Sequence, residues 1–139
     1  MSLSIRNQLS GTVLSVTPGE VMATVKVRLD GGQQMTAAIT LEAVKELGIE
    51  EGSTVLTLIK STEVALATGT VNGLSIRNRI PGTVTHVATG GAMAGVKVAV
   101  AGGELTAAIT RDAAEDLGLA AGAEVTALVK STEVALAAV

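Results

Sequence analysis

The tetrapeptide Ser4-Ile5-Arg6-Asn7 returns as Ser75-Ile76-Arg77-Asn78, and almost everything downstream of it returns too. The offset is 71 residues as far as Gly31-Gly32 and Gly102-Gly103, then 70, because the first copy carries one extra residue in Gln33-Gln34. Aligned this way, Leu3 to Ala67 and Leu74 to Ala137 share 36 identities in 64 pairs. A repeat of this kind sets the plan of a chain before any local pattern is read. The 139 residues would ordinarily make one domain. Here they are expected to make two, over 1–68 and 74–139, joined by a linker at 69–73. The copies also form an internal comparison, since polar residues kept in both have survived the drift that changed their neighbours.

Domains this small bury only about 60% of their unfolded surface. This chain has no Trp, Tyr or Phe, the side chains that add most to a core, and no Cys to form a disulfide or a thiolate metal site. Small aliphatic domains without staples find their missing burial at an interface. The copies are therefore expected to pack on each other, and the chain to self-associate. A net charge of −3 with dispersed Lys and Arg leaves no basic footprint for a phosphate backbone. The absence of aromatic rings removes the stacking platform that single-stranded nucleic acid needs. No apolar run approaches the ~18 residues of a membrane span, and Met-Ser-Leu-Ser-Ile-Arg-Asn does not read as a leader. The expectation is a cytoplasmic protein with neither nucleic-acid nor membrane partners.

Each copy reads as strands, one short helix, then strands. In Val21 to Leu29, Val25, Val27 and Leu29 alternate with Lys26 and Arg28, the period of a half-buried strand. Thr12 to Val16, Met35 to Ile39, Thr54 to Ile59 and Val64 to Ala67 supply the other extended segments. Thr40 has the chemistry of an N-cap for Leu41 to Leu47, with Glu42 in the first turn and Gly48 as the stop. The second copy repeats these marks at Thr110 and Gly118. Five short strands with a helix before the fourth predict a mainly β protein. Its architecture is two tandem OB-type five-stranded β-barrels, each with one short α-helix.

Catalysis finds no support. The lone His86 aligns with Ser15, so it lies outside the shared design, and no second His can activate a serine. Only Glu42/Asp112, Glu46/Asp116 and Glu63/Glu133 stay acidic in both copies, which argues against a site for a free metal cation. What is shared is a set of donors. Arg6 and Arg77 offer a planar fork suited to an oxyanion, and Lys60 and Lys130 a compact charge. Ser4, Ser61 and Thr40, with Ser75, Ser131 and Thr110, add hydroxyls. Thr40 and Thr110 also stand where a helix begins and backbone N–H groups are free. Together these can replace the hydration of a small tetrahedral dianion without any acid–base step. Each residue alone has a structural reading too: Ser, Arg and Asn near a strand start can tie a barrel together, and a capping Thr needs no ligand.

Three segments carry a resemblance. Ser4-Ile5-Arg6-Asn7-Gln8-Leu9-Ser10-Gly11 resembles the Ser-Ala-Arg-Asn opening of the molbindin family of Mop domains. Ala38 to Gly48 is similar to its central segment, and Ile59-Lys60-Ser61-Thr62-Glu63-Val64 to its closing signature. The resemblance implies a cytoplasmic protein without catalytic cofactor that binds molybdate, and tungstate too, for storage or homeostasis. It implies a homotrimer of two-domain chains, with oxyanions held between domains. Carried over by position, Ser4, Arg6, Thr40, Lys60 and Ser61 would line one set of sites, and Ser75, Arg77, Thr110, Lys130 and Ser131 another. The alternative is an oxyanion-sensing regulatory module acting through a protein partner. Two departures stand out. Ala43 and Ala113 replace a serine the family often has, so backbone N–H groups or water must stand in for that hydroxyl. Met22 and Met93 replace an asparagine in the turn after Gly19 and Gly90, which puts any site built from that turn in doubt.

Overall fold

In the computed structural model, which describes residues 2–139, each repeat builds the expected kinds of element. Only residue 1 of the anticipated first unit lies outside the described residues. The first repeat forms β1 (Asn7–Pro18), β2 (Met22–Leu29), β3 (Gln34–Thr40), α1 (Leu41–Leu47), β4 (Thr54–Ile59) and β5 (Ala65–Ala67). The second forms β6 (Asn78–Thr89), β7 (Met93–Val100), β8 (Gly103–Thr110), α2 (Arg111–Asp116), β9 (Glu124–Val129) and β10 (Ala135–Ala138). Single 3-10 turns at Ser61–Glu63 and Ser131–Glu133 precede the last strand of each repeat. In β2 the alternation is complete, with Val25, Val27 and Leu29 buried and Lys26 and Arg28 exposed. The Thr40 and Thr110 hydroxyls accept from the N–H groups of Ala43 and Ala113, as N-caps do. Gly48 stops α1 in the left-handed conformation; α2 ends one residue earlier, at Asp116, with Leu117 as its cap and Gly118 following at positive φ.

The strands make two curled five-stranded sheets, and neither belongs to one repeat. Their orders are β10-β4-β1-β2-β3 and β5-β9-β6-β7-β8. The last strand of each repeat has crossed to the other. β10 runs antiparallel to β4, Ala135 opposite Leu58 and Ala138 opposite Val55. β5 runs antiparallel to β9, Ala65 opposite Leu128 and Ala67 opposite Thr126. The turn at Ser61–Glu63 packs against β8, and that at Ser131–Glu133 against β3. One apolar cluster therefore runs through both repeats, joining Val13, Val27 and Met35 to Val84, Val98 and Leu105. Interface burial of this kind is what two small aliphatic domains lacked.

Two buried asparagines fasten the repeats together. Asn7 donates from Nδ2 to the Thr106 carbonyl at 2.8 Å and accepts from the Thr106 N–H at 2.7 Å. Asn78 does the same with Thr36, at 2.8 and 2.7 Å. Each carboxamide is 1% exposed and occupies the place of a neighbouring strand residue on the edge of a sheet.

The β2–β3 and β7–β8 turns meet back to back. A Cβ on Gly31 would stand 1.9 Å from the Ala101 carbonyl oxygen, which is backbone and cannot swing aside. Gly91 is an exposed turn residue with open space around it. Gly31→Ala is therefore expected to cost roughly 1–3 kcal/mol through overpacking, while Gly91→Ala stays within about 0.5 kcal/mol of the parent. Parallel urea titrations measure both, and equal midpoints would refute the close approach.

Candidate functional site

β4 and β9 are each followed by a lysine at the N-cap position of a 3-10 turn. This places Lys60 and Lys130 where an exchanged strand leaves one repeat for the other. Two clefts open there, related by the repeat. The larger, about 420 Å³, holds Lys130, Ile76, Ala108 and Thr110 from the second repeat beside Thr62 and Ala65 from the first. The smaller, about 280 Å³, holds Lys60, Ile5, Ala38 and Ile39 from the first repeat beside Thr132 and Ala135 from the second. Both repeats line each cleft. This follows from the strand exchange, because a turn that leads into the other sheet must pass over that sheet's edge.

The electrostatics are mixed. Lys60, Lys130, Arg6 and Arg77 are exposed, and none joins an ion pair among the described residues. The ion pairs present are Lys97 with Glu104 at 3.6 Å and Arg111 with Glu115 at 2.8 Å. Glu63 and Glu133 each line both clefts. Two hydroxyls in the adjoining turns lack a partner: Ser61 Oγ and Ser131 Oγ are out of solvent and make no hydrogen bond among the described residues. An orphaned buried hydroxyl costs free energy, and polar groups left so in a native fold call for an explanation.

The ten residues singled out by sequence are thus only partly gathered. Lys130 and Thr110 share one cleft, and Lys60 lines the other. Ser61 and Ser131 begin the turns whose next residues line the opposite repeat's cleft. Thr40 lines a separate depression with Glu20, Val21, Leu41, Glu42 and Lys45. Ser4, Arg6, Ser75 and Arg77 are exposed and line neither cleft, although Ile5 and Ile76 from the same segments do. Arg77 is turned back on its own loop, donating to the Ser75 and Leu74 carbonyls at 3.3 and 3.2 Å. Sequence reasoning passed over Glu63 and Glu133 as cleft residues, although their retention in both copies was the available signal. No group of three or more His, Cys, Asp or Glu side chains could hold a metal ion among the described residues. No helix among them is long and apolar enough to cross a membrane.

The comparisons with known proteins agree with one another. The TOBE domain family matches the chain twice, over residues 3–66 and 74–136. Molybdenum-pterin-binding protein MopB of Rhodobacter capsulatus is 43% identical over 136 residues, covering 96% of this chain and 50% of that protein. Molybdenum-pterin-binding protein 1 of Clostridium pasteurianum is 42% identical over 66 residues, 48% of this chain and 97% of that protein. The chain thus spans about half the length of MopB and is about twice the length of the clostridial protein. Among solved structures, the cytoplasmic molybdate-binding protein ModG with molybdate bound superposes with a TM-score of 0.97 at 37% identity, covering 100% of both chains.

Proposed function

Because the chain belongs to the TOBE-domain family and carries that domain twice, we propose that it binds molybdate in the two inter-repeat clefts. The proposed role is cytoplasmic storage or homeostasis of the oxyanion, with tungstate accepted as well. The observation that carries the reading is that, where each exchanged strand departs, a lysine outside any ion pair among the described residues is followed in sequence by a serine whose buried hydroxyl has no partner. Molybdate offers only acceptors, so a Lys ammonium and a Ser O–H satisfy it where a solvating water shell would be lost. The likeness to ModG over its full length, and to the molybdenum-pterin-binding proteins, supports the same ligand. Binding without catalysis is part of the proposal.

Ser4, Arg6, Ser75 and Arg77, which line neither cleft as the chain stands alone, complete the proposed ligand set. Thr110 contributes its cap hydroxyl in the cleft of Lys130, and Thr40, which lines a separate depression, is proposed as the equivalent donor of the first repeat; the proton of each stays free to be donated. The proposed assembly is a trimer. Val21, Met22 and Met93, respectively 73, 44 and 47% exposed at the hairpin tips, give it an apolar contact surface. Within it we keep 1–68 and 74–139 as the two repeat units.

Thermal unfolding with molybdate, tungstate, sulfate and phosphate in parallel tests the reading. A ligand at a hundred times its Kd adds about 2.7 kcal/mol to the native state, so the midpoint should rise on the order of 5–10 °C with molybdate and tungstate. Sulfate should leave it unchanged. No rise with any of the four would remove the oxyanion function.

A further inference from the structure

At the helix starts the N–H groups of Ala43 and Ala113 are held by the Thr40 and Thr110 hydroxyls and so are no source of donors for an anion. The sheet edges offer another source. β3 and β8 are edge strands, each paired on one side only. The Leu29 N–H donates to the Gln33 carbonyl and the Leu41 N–H to the Val21 carbonyl, which fixes which β3 residues bond inward to β2. Alternation along an antiparallel pair then turns the main-chain groups of Thr36, Ala38 and Thr40 outward. Asn78 confirms the parity by taking both groups of Thr36. In the second repeat the Arg111 N–H donates to the Ala92 carbonyl, and Asn7 takes both groups of Thr106. The outward set there is Thr106, Ala108 and Thr110.

Beyond the asparagine clamp, the next outward residue on each edge is an alanine. Ala38 lines the cleft of Lys60, and Ala108 the cleft of Lys130. Neither alanine takes part in a hydrogen bond outside the ladders among the described residues. We infer that the main-chain N–H groups of Ala38 and Ala108 are ligands of the bound oxyanion, one in each cleft, pointing at the space the lysine faces. The inference rests on the proposed molybdate binding and adds to it a donor that no side-chain pattern reveals. A main-chain N–H on a strand held by the sheet on one side and by an asparagine clamp two residues away is fixed before the ligand arrives. It donates without carrying a charge or a proton that can be lost. Alanine suits the position because a larger side chain two residues from the clamp would crowd the cleft.

The test removes the donor and keeps the strand. Proline lacks the N–H and is tolerated on edge strands where that group faces away from the sheet. Ala38→Pro with Ala108→Pro is expected to weaken molybdate binding at least tenfold by isothermal titration, with cooperative unfolding and assembly size retained. Ala38→Gly with Ala108→Gly keeps both N–H groups and should bind within threefold of the parent. Because a proline ring also adds bulk, an ester in place of each of the two amides gives the decisive variant, losing the donor with almost no change of shape. The same loss in the ester protein supports the assignment. Parent-like binding in a folded ester or proline protein overturns it while leaving the molybdate function standing. A parent protein that does not bind molybdate removes the function, and this assignment with it.

Discussion

Replacing Lys60 and Lys130 together by alanine is expected to weaken molybdate binding roughly 10- to 100-fold at each cleft, the effect of a charge-assisted hydrogen bond worth about 1.5–3 kcal/mol. The net negative chain provides no long-range attraction for a dianion, so affinity must come from donors at the site. Glu63 and Glu133 line the same clefts, and the lysines offset their field. Neither lysine is buried or ion-paired, so the fold should not register the change, and the unfolding midpoint should move by less than about 2 °C. Isothermal titration with molybdate, beside a thermal melt without it, separates the two quantities. An affinity equal to the parent's would show that the anion binds elsewhere.

The second large effect lies at the asparagine clamps. Asn7→Ala with Asn78→Ala removes four hydrogen bonds of 2.7 to 2.8 Å and leaves the N–H and carbonyl of Thr36 and Thr106 without partners at the junction of the repeats. Unsatisfied buried groups cost about 1–3 kcal/mol each; these four are part-buried, so taking about 1–2 kcal/mol for each the loss should be on the order of 4–8 kcal/mol for the pair of sites. For a chain of this size that lowers the midpoint by roughly 10–20 °C. Aspartate at the same positions can still accept from the Thr106 and Thr36 N–H groups. It nevertheless loses the donor and buries a charge, and should be no better than alanine. Scanning calorimetry measures both. A drop smaller than about 3 °C in the alanine pair would mean that the clamps are incidental to how the repeats hold together.

Much of this fold could be read from residues. The alternation of Val25, Val27 and Leu29 with Lys26 and Arg28 places β2, and Thr40 and Thr110 mark where the helices begin. β1 begins five residues before the expected Thr12, because Ser10-Gly11 interrupts the apolar pattern. A Cβ at Gly11 would come within 2.5 Å of Val27, so that glycine marks close packing of β1 on β2 rather than a break. The strand exchange was illegible for a different reason. The segment Val64-Ala65-Leu66-Ala67 is repeated without change as Val134-Ala135-Leu136-Ala137. Two identical strands fit either sheet equally well, so nothing local says which one each joins. The same degeneracy hid the composition of the clefts. Lys60, Ser61, Lys130 and Ser131 stood out because both copies keep them, but which repeat's turn covers which repeat's lysine depends on the crossing. Ala38 and Ala108 gave no chemical signal at all, since what they offer belongs to the main chain.

The exchange of last strands also orders events in time. The first sheet takes its outermost strand, β10, from a whole repeat downstream of β4, so it cannot be completed while the second repeat is still being synthesised. Domains ordinarily fold as units, the N-terminal one first, as the chain emerges. Here β4 lacks its final partner β10, and β5 lacks its final partner β9, until the second repeat exists. Pairings so distant in sequence are slow to form, because the loop must close before any contact rewards it. The nascent first half is thus a half-finished sheet holding out a strand, and another nascent copy of the same chain is the partner best shaped to take it.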